Sequence, residues 1–130
     1  MISLGIMVKQ FAENPALLGL VGDMDLKRTS SHPGHAGFLL EDPVETILYA
    51  VELKLGLTDD RQIIRLVESW AATRNRHPRS RCIAVLVAEQ IAPRYWNVLR
   101  LISRSVPIVV REMRLQEGGE IATFQALRLC

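Results

Sequence analysis

Two cysteines in 130 residues are too few for a disulfide framework or a zinc site, and Cys82, inside an apolar run, reads as a small buried hydrophobe. That usage suits a reducing compartment. No stretch approaches the roughly 18 consecutive apolar residues of a membrane span. The segment Met1 to Lys9 also lacks the basic start and long apolar core of a secretory signal. The expectation is a cytoplasmic protein with no membrane partner. Internal repeats, low-complexity tracts and linker-like stretches are missing too, so residues 1–130 read as one domain, long enough to bury a core without disulfides or metals. Lysine is scarce: 13 of the 16 cations are arginine, the side chain suited to bidentate phosphate contacts.

What is present is unevenly charged. Residues 1–60 carry 4 cations against 9 acids, a net −5, whereas residues 61–130 carry 12 arginines against 5 glutamates, a net +7. The densest basic cluster is Arg74, Arg76, Arg79 and Arg81. It reads as a phosphate-contacting segment or, equally, as a solvated surface. Trp70 and Trp96, within apolar stripes at helical spacing, read as core or interface rather than as base-stacking platforms. His32, His35 and His77 sit in polar, turn-rich surroundings and read as surface residues.

Patterning gives the element order. A short helix is expected over Met1 to Phe11, with Asn14 as an N-cap ahead of Pro15 and one further turn to Leu18. A first strand is expected around Gly19 to Leu26, then an exposed loop over Lys27 to His35 on turn-former composition. Ala36–Glu41 and Thr46–Leu55 read as a strand hairpin about Asp42-Pro43. Thr58-Asp59-Asp60 supplies an N-cap and acidic first turn for a helix to about Asn75. Ile63, Ile64, Val67, Trp70 and Ala71 are its apolar face, and Arg61, Arg65, Glu68 and Thr73 its outer face. Cys82–Ala88 reads as a buried strand. Pro93 opens a helix with Tyr95, Val98, Leu99 and Ile102 on one stripe. Val106–Leu115 and Ile121–Leu129 read as strands joined at Glu117–Glu120.

The chain is organised around Tyr49 to Gly56. Alternation puts Tyr49, Val51, Leu53 and Leu55 on one face and Ala50, Glu52 and Lys54 on the other. An acid and a base sharing one face near a buried strand's end must be paired, hydrogen-bonded or holding an ion, unless they merely mark where the strand reaches solvent. A four-residue turn over Pro43 to Thr46 would set Asp42 opposite Ile47, Glu41 opposite Leu48 and Gly37 opposite Glu52.

This order, with Glu-x-Lys on the strand before the first long helix, resembles the PD-(D/E)XK nuclease superfamily. The resemblance runs from about Asn14 to Ala88, most clearly over Val51–Trp70 and Ile83–Glu89. It is strongest to poorly characterised bacterial members in which E-x-K-L-G precedes Thr-Asp and Ile-Ile-Arg, here Thr58-Asp59 and Ile63-Ile64-Arg65. It implies an α/β fold, a restriction-endonuclease-like α-β-β-β-α-β core with a central mixed sheet, extended by a C-terminal helix and β-hairpin. It also implies a metal-dependent DNA nuclease in which Glu52 and the main-chain carbonyl of Leu53 hold magnesium or manganese. Lys54 would orient the attacking water, and Gln62 would be a polar helper if it is not simply an exposed helix residue. The second acid of the family should face Glu52, where Gly37 stands. Asp25, or Asp23, is the candidate for a migrated ligand, and loss of the site is the alternative. The rival function is a non-catalytic nucleic-acid-binding or protein-interaction module on the same fold, paired as a homodimer through its C-terminal helix and hairpin.

Overall fold

A computed structural model describes residues 4–126. Helix α1 (Leu4–Glu13) leads through a short 3-10 turn at Pro15–Leu18 to strands β1 (Asp25–His32), β2 (His35–Asp42) and β3 (Ile47–Leu57). Helix α2 (Asp60–Arg76) and strand β4 (Arg81–Gln90) follow. A 3-10 turn at Pro93–Tyr95 then leads into α3 (Trp96–Ile102), and β5 (Ile108–Leu115) and β6 (Ile121–Gln125) end the described chain. The six strands form one sheet in sequence order. The β1-β2-β3 meander is antiparallel, β3-β4-β5 is parallel, and β5-β6 is antiparallel.

Two apolar layers sandwich the sheet. On one face, Met7, Val8 and Phe11 of α1 pack with Leu18 against Phe38, Leu40, Tyr49, Val51, Leu53, Val85 and Val87. On the other, Ile63, Leu66 and Trp70 of α2 and Leu99 of α3 cover Leu39, Leu48, Ala50, Cys82, Ala84 and Leu86. Strand β4 supplies both layers from alternate residues, as its uninterrupted apolar run requires of a strand buried on both faces. The core matches the expected α-β-β-β-α-β order. The C-terminal helix and hairpin add to this core as expected, with β5 pairing with β4 to extend the central sheet.

Several expectations are corrected. The strand placed near Gly19–Leu26 is β1, and it occupies most of the stretch expected as a loop. All eight of its residues are exposed. An edge strand held by main-chain pairing to β2 needs no apolar alternation, so polar composition concealed it. The turn itself is Pro33-Gly34, with Gly34 at φ 81°, the proline-then-glycine pattern of a type II turn. Asn14 makes no side-chain capping bond. On α2 the buried residues are Gln62, Ile63, Leu66, Trp70 and Thr73. Ile64 is 55% exposed, and Thr73, expected outside, is fully buried with its Oγ1 donating to the Ser69 carbonyl. The inward stripe runs 63-66-70-73, one step from the expected phase. Val98 of α3 is likewise exposed. Strand β6 ends at Gln125, and the remainder of the expected strand from 127 on, like Cys130, lies outside the described residues.

Candidate functional site

Antiparallel pairing of β2 with β3 sets Asp42 opposite Ile47, Glu41 opposite Leu48 and Gly37 opposite Glu52, as the turn geometry predicts. Continued across the sheet, one row reads Ser30, Gly37, Glu52, Leu86. This row lies on the α2 side, where Leu48 and Ala50 are core and Glu52 and Lys54 continue the same face toward the first turn of α2. Glu52 is only 6% exposed. Its carboxylate leans over Gly37: a Cβ on that glycine would stand 2.6 Å from Glu52 Oε1 and 3.1 Å from Ser30 Oγ. The missing side chain is therefore the space the carboxylate occupies. Among the described residues the Glu52 carboxylate makes no hydrogen bond or ion pair. Burial pushes its pKa up to about 7, against the opposing pull of Arg65.

Lys54 does not neutralise it. Lys54 Nζ lies 3.7 Å from Asp59 Oδ2 and donates to the Leu55 carbonyl at 3.3 Å. Asp59 is the N-cap of α2, its Oδ1 accepting from the Gln62 amide at 2.8 Å. One acid thus holds both the helix start and the lysine. Gln62, favoured from sequence as an exposed helix residue, is 2% exposed. Its Nε2 donates to the carbonyls of Glu52 at 3.2 Å and Val87 at 2.9 Å, clamping α2 to β3 and β4. Its Oε1 is buried with no partner among the described residues. Leu53 lies in the ladder between Ala36 and Val87 with its side chain in the α1-side core, so only its carbonyl is available to the Glu52 side.

Arg61 and Arg65, expected only as part of the outer face of α2, frame this corner. A hollow of about 810 Å³ is lined by His32, Asp60, Arg61, Ile64, Arg65 and Glu68. His32 and His35 stack across the β1-β2 turn with ring centroids 5.0 Å apart. Burial, followed by Arg65 and His32, lowers the His35 pKa. The signal available in sequence was Arg61 and Arg65, spaced i,i+4 and hence on one helix face.

The donors present do not fit a magnesium or manganese ion. Asp25 pairs with Glu41, in the row of Leu48. That row is four residues along β3 from Glu52, or about 13 Å at the strand rise, so Asp25 is not brought to Glu52. Asp23 precedes β1. No group of three His, Cys, Asp or Glu side chains suited to an ion occurs among the described residues. The β2-β3 pairing brings one carboxylate, Glu52, to this corner, and Gly37 leaves the position opposite it without a donor.

The basic segment is elsewhere. Arg74 and Arg76 end α2, Arg79 lies in the α2-β4 connection, and Arg81 begins β4 opposite Ile47. From Gln62 to Arg74 is about 18 Å along the helix, so the structure sets the expected catalytic residues and the expected phosphate-binding residues at opposite ends of α2. Each of the three lysines pairs with a carboxylate, yet no arginine among the described residues makes an ion pair. Three of them instead lie over aromatic rings: Arg74 on Trp70, Arg94 on Tyr95 and Arg114 on Phe124.

No family model and no curated protein matches this chain. Among solved structures it is similar to the nuclease EndoMS in its apo form, at a TM-score of 0.65 and 16% identity, over 90% of this chain and 48% of that one. The chain thus spans about half the length of the protein it matches. At this identity the likeness is one of fold: an α/β domain with a six-stranded mixed sheet, of nuclease-like type. Among the described residues, no helix is long and apolar enough to cross a membrane.

Proposed function

We propose that this domain binds DNA through the arginines of α2 and of the α2-β4 connection, on a PD-(D/E)XK-like scaffold whose metal centre is incomplete. The observation that carries the binding is the contrast between cations: every lysine has a carboxylate partner, and none of the described arginines has one. Guanidinium groups without ion pairs, on a chain half with net charge +7, are ready to meet phosphates bidentately with no internal pair to break. Arg61, Arg65 and Arg76 recur on one outer face of α2, and Arg74, Arg79 and Arg81 cluster at its end. The helix is about 25 Å long, so this surface has the reach of several successive phosphates. The fold likeness to a nuclease supports DNA as the polyanion.

Gly37 opposite Glu52 separates this reading from that of an active nuclease. With glycine opposite Glu52, the β2-β3 pair offers no second carboxylate for a divalent ion. Magnesium-dependent cleavage is therefore expected to be weak or absent. The cleaving alternative draws support from Gln62 Oε1, a buried acceptor with no partner, which is the type of atom an ion or water would satisfy. Plasmid cleavage with and without magnesium distinguishes the two.

The binding itself is tested by measuring DNA affinity against salt for the natural protein and for a variant with Arg74, Arg76, Arg79 and Arg81 all changed to alanine. Each phosphate contact removed should flatten the log-log slope by about one unit. An unchanged slope and unchanged low-salt affinity would remove these arginines from the interface.

A further inference from the structure

Strand β1 is one edge of the six-stranded sheet, and the hairpin it forms with β2 fixes which of its main-chain groups are spent. The Gly34 carbonyl accepts from the Leu55 amide at 2.9 Å. Main-chain groups alternate in direction along a strand, so Ala36 and Phe38 also serve β3. His35 and Gly37 turn theirs the other way, toward their partners in β1, His32 and Ser30. The alternate residues of β1, Thr29 and Ser31, therefore point both N–H and C=O away from the sheet.

The two ends of this edge differ. Toward its start a bulge between Leu26 and Arg28 breaks the register, and Lys27 and Arg28 add charge. Helix α1 also comes close there, where Lys9, Ala12 and Glu13 line a hollow with Asp23, Met24, Asp25 and Leu26. Bulges, cations and a covering helix are devices that protect an edge from further pairing. None of them reaches residues 29–31, which are uncharged and exposed.

This stretch is its own complement. In an antiparallel copy with Ser30 on a two-fold axis, Thr29 faces the partner's Ser31 and Ser31 faces the partner's Thr29, so every outward N–H meets an outward C=O. An axis at Ser31 would set Thr29 against the partner's Pro33, which has no N–H. An axis at Thr29 would set Ser31 against the partner's Lys27, at the bulge. The side chains select a copy as well. A hydroxyl both donates and accepts, so serine and threonine satisfy their own kind across strands, whereas a charged residue on the axis would face its own charge. The next pair outward, Arg28 with the partner's His32, is unlike while the imidazole is neutral.

We propose that residues 29–31 dock a second copy of this chain, the two β1 strands pairing antiparallel about Ser30 to join two six-stranded sheets into one. This surface differs from the C-terminal helix and hairpin expected from sequence as the dimer face, and it stands whether or not the domain binds DNA. Its contact is short, which puts the association in the weak, transient class.

Disulfide trapping of the full chain tests it. Across the axis the two Ser30 Cα atoms would lie about 4.5 Å apart, within the range a disulfide spans. Ser30→Cys, in a Cys130→Ser background, should therefore form a covalent dimer under air oxidation at least about tenfold faster than Val44→Cys in the same background, because pairing raises the effective concentration of one thiol at the other. Val44 is the more demanding control because it is 85% exposed. Cys82 does not compete, since burial pushes its thiol up to about 11. Adding Ser31→Pro should abolish the excess: this N–H serves no bond to β2, so proline removes a donor between copies and leaves the hairpin intact. Thr29→Lys together with Ser31→Lys, which sets cation against cation in both pairs, should do the same. Circular dichroism would confirm the fold of each variant. Equal trapping at positions 30 and 44, or an excess at 30 that survives both the proline and the lysine variants, overturns the proposal.

Discussion

Replacing Glu52 by glutamine should change stability in a way that depends on pH. The folded-state pKa of Glu52 is pushed up to about 7 from an ordinary value of 4.5, chiefly by burial. Below 4.5 both the folded and unfolded chains hold the proton, and Glu52 contributes no pH dependence. Between 4.5 and about 7 the folded chain holds it and the unfolded chain does not, so stability falls as pH rises. Above about 7 both have lost it and the full cost of a buried, unpaired carboxylate remains. A shift of this size corresponds to about 3 kcal/mol, a large fraction of the stability of a small domain. Glutamine has the shape of the protonated acid and does not titrate. The Glu52→Gln variant should therefore gain on the natural protein by about 3 kcal/mol between about pH 4 and about pH 8. Urea titrations of both proteins at the two ends of that window measure it. A difference that does not change with pH would refute the reasoning. A natural protein that gained on the variant at high pH would mean that a cation or hydrogen-bond donor holds Glu52 ionised.

Gly37→Asp would set a second carboxylate beside Glu52. Gly37 is not among the positive-φ glycines, and the new Cβ would displace the flexible end of Glu52 and press on the Ser30 hydroxyl. The variant should lose stability without magnesium and recover about 1.4 kcal/mol when the ion exceeds its Kd about tenfold, read as a magnesium-dependent rise in Tm that the natural protein lacks. Equal magnesium response of the two proteins would show that Gly37 is not the missing ligand position. Gln62→Leu removes the donor serving the Glu52 and Val87 carbonyls and should cost about 1–3 kcal/mol. Chemical denaturation measures it, and a neutral result would mean that the clamp is not structural.

How much of this was legible beforehand depended on the range of the interaction responsible. The Gly37–Glu52 pairing follows from a four-residue turn and a two-residue alternation, both local, so the sequence by itself determined that a glycine stands opposite Glu52. It also determined the buried strand over Cys82–Ala88 and the start of α2 at Asp59, because apolar runs and caps act within a few residues. Strand β1 was not legible, since an exposed edge strand owes its existence to the main chain of β2 and leaves no apolar period. Gln62 read as surface because polarity is a property of the residue, while its burial depends on two carbonyls from β3 and β4 that only the sheet brings together. The same holds for Lys54, two residues from Glu52 in sequence but paired with Asp59 from the next element. Most consequentially, sequence distance could not place the arginines relative to the carboxylate. A rigid helix carries Arg74 about 18 Å away from Gln62, while packing of α2 on β3 and β4 leaves Arg65 beside the Glu52 corner. Charge and periodicity are written along the chain, but which charges share a site is decided by which faces of the helices the sheet buries.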